Sequence, residues 1–251
     1  MNRTLRLLAF LPLLSLTAFP AHAQDKGKKP PPPSQQPPAK KPESKPAEKK
    51  PAEASHKPGA VGSEVDGAIA LNDTTGKAHA FKDYRGKVVV VDFWSMDPAS
   101  EGYSKRLSEM ADELGKKGVV FLAIDPNSAD MTGGDAEAAK RIDEYAKKNG
   151  ITFPVLLDKD GTVARKFAAK TTPEVLVVDA KGIIRYAGAI DDDPKGEKAD
   201  KATHYLRSAI EAVMAGKDVA NPTTTPNGTP ISHEKAEKAP EKTPPPPPPK
   251  K

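Results

Sequence analysis

The sequence predicts an α/β fold: one domain over residues 61–218, with a central mixed sheet of four to five strands flanked by helices. Three observations predict it. Short apolar runs rich in β-branched residues, such as Val88 to Val91 and Val119 to Ile124, have the length and composition of strands buried on both faces. Between them lie longer stretches with apolar residues at helical spacing and charges elsewhere. The last two strand-like runs are separated only by a tight turn, so an antiparallel hairpin follows the parallel crossovers.

Each element follows in order. Residues 61–87 supply an N-terminal β-hairpin extension. The run Val88 to Val91 continues into Asp92-Phe93-Trp94 and reads as the central strand. Residues 103–114 place Tyr103, Leu107, Met110 and Leu114 on one helical face, and Gly118 closes that helix. The second strand, 119–124, is broken by Asp125-Pro126-Asn127. Asp135 is the expected N-cap of a helix that runs to Asn149-Gly150 and turns Ala138, Ile142, Tyr145 and Ala146 inward. A short strand over 153–157 precedes a brief helix from Thr162 to Ala168. Residues 174–179 and 183–187 flank Ala180-Lys181-Gly182, where glycine supplies the positive φ that hairpin turns require. A last helix, 200–215, aligns Tyr205, Leu206, Ala209, Ile210 and Val213.

The flanks differ in kind. Arg3 and Arg6 precede the apolar run Leu7 to Leu16, and Ala21-His22-Ala23 has the small-x-small pattern of a signal-peptidase site, so residues 1–23 read as a secretory signal. Pro12 and Pro20 interrupt the run, which is too short for a comfortable membrane span. No cysteine follows it for lipid attachment. Residues 24–60 and 219–251 are built from Pro, Lys, Ala and Glu and are expected to be disordered, because they bury too little surface to offset their ordering entropy. The expected location is therefore periplasmic or extracellular, after cleavage near Ala23, with no transmembrane segment in the mature chain.

The formal net charge of +5 belongs to these flanks. The signal carries +2. The first arm has 9 Lys against 4 acidic residues and the last 33 residues have 5 against 3, while the core has 23 basic against 27 acidic. Basic arms of this kind are suited to an anionic envelope surface. They lack the interleaved aromatics of single-strand nucleic-acid binders, so a nucleic-acid partner is not expected.

The chain has no cysteine, which excludes disulfides and thiol chemistry. Its five histidines, at 22, 56, 79, 204 and 233, are scattered without metal-ligand spacing. Asp191-Asp192-Asp193 lacks the spaced pattern of a calcium loop. Neither a metal nor a cofactor is expected.

The strand order β-α-β-α-β-β-α is that of a thioredoxin-like fold. Three motifs make the resemblance specific: Gly86 to Ser95 (GKVVVVDFWS), Thr171-Thr172-Pro173-Glu174-Val175, and Arg185 to Asp192 (RYAGAIDD). Together they resemble the redoxin branch of the thioredoxin-like superfamily, which includes alkyl hydroperoxide reductase/thiol-specific antioxidant and thiol:disulfide interchange domains, over roughly 61–230.

The resemblance implies a nucleophilic cysteine just after Trp94, where a helix start lowers its pKa. Counted without gaps, Pro98 takes the first cysteine position and Glu101 the second; with one deletion, the cysteine is missing between Asp97 and Pro98. The segment Thr224 to Ile231 resembles a redoxin tail that carries a Gly-Cys pair, and Thr229 stands at its cysteine. The vestigial site is thus Asp92, Trp94, Ser95, Met96, Asp97, Pro98, Ser100 and Glu101, with no catalytic residue. Asp92 matches the buried acid that serves the cysteines of thioredoxins. Thr172-Pro173 matches the loop with a cis proline, whose preceding backbone groups are free to pair with an extended peptide. Ser95 and Ser100 are alternative nucleophiles, but each needs a base, and only His79 or His204 could approach through folding.

Three functions compete. The first is a non-catalytic binding module that takes an extended peptide or envelope protein on Trp94, Thr172 and Pro173. The second, implied by the resemblance, is a thiol-dependent peroxidase or disulfide oxidoreductase. The third is a structural spacer that docks on the envelope. The missing thiol weighs against an enzyme without deciding it.

Overall fold

The computed structural model describes residues 57–198 and 201–232. The signal segment, most of the first arm and residues 233–251 of the last lie outside the described residues.

The central sheet has five strands. β3 (Val89–Phe93), β4 (Val120–Asp125), β5 (Val155–Leu157), β7 (Glu174–Val178) and β8 (Ile184–Gly188) are arranged in the order β5-β4-β3-β7-β8. β4 and β5 run parallel to β3, β7 runs antiparallel to β3 and β8 antiparallel to β7, so the sheet is mixed as the sequence predicts. Ahead of it, β1 (Ala70–Asn72) and β2 (Ala78–Ala80) form the N-terminal hairpin.

The helices are α1 (Pro98–Gly115), α2 (Asp135–Lys148), α3 (Thr162–Lys166) and α4 (Tyr205–Met214). α1 starts five residues ahead of the apolar pattern that announces it, because its first turn is polar and anchored by capping rather than by burial. Conversely, α4 starts five residues after its predicted beginning. α2 is capped by Gly134 with no side-chain hydrogen bond, and Asp135 is its first residue rather than its cap.

Alternation along the strands divides the core in two. Val89, Val91, Phe93, Leu122, Ile124, Leu156, Leu176 and Ile184 face one side, where Phe81 and Phe167 close over them. Val90, Phe121, Val175, Val177 and Tyr186 face the other, against Tyr103 and Leu107 of α1 and Leu206 and Ile210 of α4. Farther along that side, Ala123 and Val155 meet Ile142 and Ala146 of α2.

The expected extent of the disordered tail does not hold. Residues 219–232 belong to the fold rather than to a disordered tail. Leaving α4, the chain runs beside β8, where Ala187 N donates to Pro222 O at 3.0 Å and Thr224 N donates back to Ala187 O at 3.2 Å. The Thr224 hydroxyl oxygen accepts from Ala189 N at 2.9 Å and lies 2.6 Å from the Tyr186 hydroxyl. This approach demands Gly188, since a Cβ there would stand 2.3 Å from Thr224 O. Farther on, β9 (Thr229–Pro230) pairs antiparallel with β6 (Thr171–Thr172). Composition missed this because the segment is held by backbone hydrogen bonds and carries few apolar side chains.

Leu176 sits in the middle of β7 and is fully buried. Leu176→Ala should lower unfolding stability by about 2–5 kcal/mol, read as a shifted urea midpoint at unchanged denaturant dependence.

Candidate functional site

The site forms where β3 runs into α1. β3 is buried along its whole length, and its end hands the chain through Trp94, Ser95 and Met96 to Asp97, the N-cap of α1. Asp97 has the extended backbone a cap needs, and its Oδ1 accepts from Ser100 N at 2.9 Å. Pro98 follows at the first helical position, where a missing N–H costs nothing.

The other Asp97 oxygen gathers two hydroxyls. Oδ2 accepts from Ser95 Oγ and, at 2.8 Å, from Thr172 Oγ1, and the two hydroxyl oxygens lie 2.7 Å apart. The residues around them are fixed as well. Ser95 N donates to Ser100 Oγ at 3.3 Å, and Met96 N donates to Asp130 Oδ2 at 3.0 Å. The Thr172–Pro173 bond is cis, as the resemblance implies.

Behind this cluster lie two more carboxyl groups. Asp92, on β3 between Ala123 and Val175, is buried, and neither of its oxygens has a hydrogen-bond partner among the described residues. Burial, with the nearby charge of Asp97, pushes its pKa up to about 8. Asp125, at the end of β4, accepts from Asn127 N at 3.0 Å. Its pKa is raised well above the usual carboxylate range, chiefly by burial and then by Asp130. Burial likewise raises Asp130.

The structure therefore brings together Ser95, Asp97, Ser100 and Thr172, with Asp92 behind them. Trp94 is a correction. Its indole is fully buried against Ile142 and Ala146 and lies 6.0 Å from the Tyr145 ring, so it belongs to the interior and not to an exposed contact surface. Thr172 and Pro173 are buried too, with β9 paired along β6. Met96 and Asp97 are half-buried and Pro98 and Glu101 exposed, and Glu101 accepts from Tyr145 OH at 3.0 Å.

Among the described residues, no histidine reaches the serines. His79 is held between Asp73 at 2.8 Å and Tyr84 at 2.6 Å, and His204 lies exposed at the start of α4. Ser95 is itself inaccessible and its proton is engaged by Asp97, so it is not placed to attack a substrate. Asp191 binds Tyr103 OH at 2.7 Å and Arg106 at 2.8 Å, and Asp193 binds the backbone of Glu197 and Lys198; both are loop anchors. Among the described residues, no group of His, Asp or Glu is arranged to hold a metal ion.

Sequence reading missed Asp125, Asp130 and the docking of Thr224. For the acids the signal was the break at Asp125-Pro126-Asn127, which places a carboxyl group at the end of β4 level with the end of β3; for the tail it was the resemblance of the segment Thr224 to Ile231 to a redoxin tail.

A mixed sheet whose central strand feeds a capped helix, with a Thr-Pro loop facing the cap, defines a thioredoxin-fold protein. The profile of the AhpC/TSA family matches residues 62–187, half of the chain, and the chain belongs to that family. Among curated relatives, the thiol-disulfide oxidoreductase ResA of Geobacillus thermodenitrificans is 27% identical over 127 residues, 50% of this chain and 67% of the relative. The thioredoxin-like protein YneN of Bacillus subtilis is 26% identical over 142 residues, 53% of this chain and 75% of its own length. The crystal structure of a hypothetical protein from Sinorhizobium meliloti 1021 superposes with a TM-score of 0.62 at 26% identity, covering 70% of this chain and 96% of that one.

Two measurements probe the cluster. Asp97→Ala removes the cap of α1 and the acceptor of two hydroxyls, and should cost about 1–3 kcal/mol in denaturant unfolding. Asp92 binds its proton more tightly folded than unfolded, so its contribution falls as pH rises above about 4 and is fully lost above about 8. Asp92→Asn should flatten the decline in stability between pH 5 and pH 8, with the variant gaining on the native chain at the alkaline end.

Proposed function

We propose that this chain is an exported redoxin-fold protein that binds rather than reacts, keeping the frame of a thiol site without its chemistry. The observation that carries the reading is Asp97. At the helix start where the resemblance implies a thiolate, a carboxyl group accepts hydrogen bonds from Ser95, Thr172 and Ser100. Peroxide reduction and disulfide exchange need an atom that forms and breaks bonds to sulfur or oxygen and is then regenerated. A carboxyl group does not cycle in this way, and no cysteine stands elsewhere in the chain.

The leader pattern over residues 1–23 supports export. Among the described residues no helix is long and apolar enough to cross a membrane. The partner in this reading is an extended peptide or an exposed segment of an envelope protein, with the basic arms adding a salt-sensitive attraction to anionic surfaces.

The chain beginning at Gln24 should show hydroperoxide consumption with a dithiol reductant, and insulin reduction, at the level of buffer. Turnover above that level that grows with protein concentration would overturn the reading.

A further inference from the structure

The edge of β6 is already occupied, and its occupant is the chain itself. β9 lies antiparallel to it, with Thr229 opposite Thr172 and Pro230 opposite Thr171. Ile231 N continues the pairing by donating to Lys170 O at 2.9 Å. Beyond it, Ser128 N donates to Ser232 O at 2.9 Å and Ser128 Oγ to the same oxygen at 3.0 Å, fastening the segment to the loop after β4. An extended segment running antiparallel along a sheet edge is how one chain adds a strand to another.

Two features make this segment a removable strap. Its side chains bury little: Thr229 and Pro230 are exposed, and only Ile231 is packed in part against the core. The stretch before it is anchored, since Thr224 is held by Ala189, lies against Tyr186 and leaves no room for a side chain at 188. Thr225-Pro226-Asn227 separates the two. The backbone of Gly228 passes so close to the cluster that a Cβ there would stand 2.5 Å from Thr172 O and 2.9 Å from Pro173 N.

We propose that residues 228–232 are an intramolecular ligand of the β6 edge, and that their release opens the edge to an extended peptide of the same chemistry from another protein. That chemistry is a residue without a side chain at the Thr172 carbonyl, then a polar residue, a proline and an aliphatic residue. Pro230, which has no N–H, sits where none is needed. The proposal deepens the binding reading by naming the ligand class and the device that controls access. A tethered segment competes at an effective concentration of about a millimolar, so a free peptide binds the closed form far more weakly than the open one.

The test uses the full chain and a labelled synthetic peptide, Pro-Asn-Gly-Thr-Pro-Ile-Ser, matching residues 226–232. Gly228→Val, whose side chain would collide with the Thr172–Pro173 backbone, should expel the strap, and Ile231→Asp, which leaves that backbone untouched, should loosen it by removing its apolar anchor. Release is read by hydrogen exchange at the Ile231 amide and binding by fluorescence anisotropy. The expected result is faster Ile231 exchange and at least about tenfold tighter peptide binding in Gly228→Val than in the native chain. A peptide with valine in place of its glycine should not bind. If the strap exchanges freely and no peptide binds, the edge is not a peptide site; if native and variant chains bind it equally, the strap does not govern access, and either result overturns the proposal. If neither variant speeds exchange at Ile231, the strap is a permanent strand and the proposal also fails. Thiol-dependent turnover would instead overturn the non-catalytic reading and leave the strap untouched.

Discussion

The structure depends on the complete burial of β3. It pairs with β4 on one side and β7 on the other and is covered on both faces, so all five of its residues are inside. A strand in that position demands apolar side chains throughout, and four of the five comply. The fifth, Asp92, is costly there because its charged form has lost water without gaining a partner. The fold meets that cost by favouring the protonated acid, which is the physical meaning of a pKa near 8. The same strand fixes where the chain emerges, and with it the start of α1.

What emerges is a helix start with an acceptor problem solved from within. The first N–H groups of any helix lack intrahelical partners, and the positive end of the helix attracts negative charge. In a thiol enzyme that environment stabilises a thiolate. Here Asp97 takes it, and the hydroxyls of Ser95 and Thr172 complete its coordination. The cluster links α1 to the β6 loop as a structural clasp, which accounts for Ser95 and Thr172 being buried although both are polar.

Much of this was legible in the sequence because strong periodicity reports burial. The runs at 88–91, 119–124 and 174–178 are strands, the Ala180-Lys181-Gly182 turn joins β7 to β8, and the Ala138, Ile142 and Ala146 face of α2 is buried. Spacing from Phe93-Trp94 draws attention to Ser95 and Asp97, and their side chains do converge with that of Thr172. Two readings failed for physical reasons. Trp94 reads as a peptide contact from its position in the resembled site, yet α2 packs over it. The tail after Asp218 looked disordered because composition measures apolar burial. It is blind to a segment fastened by main-chain hydrogen bonds to Ala187, Lys170 and Ser128.

Gly188 has a consequence for how such chains diverge. Its backbone is in a conformation that favours glycine, and the space its side chain would fill is taken by Thr224, 36 positions later in the chain. The two positions are therefore coupled although neither belongs to the cluster around Asp97. A relative that keeps the docked tail must keep a bare residue at the end of β8 and a small hydroxyl residue facing it. In one that has shed the tail, the steric demand on position 188 disappears and the Tyr186 hydroxyl loses a neighbour. Paired change at 188, 224 and 186 would then record, in sequence alone, where in the family the tail came undone.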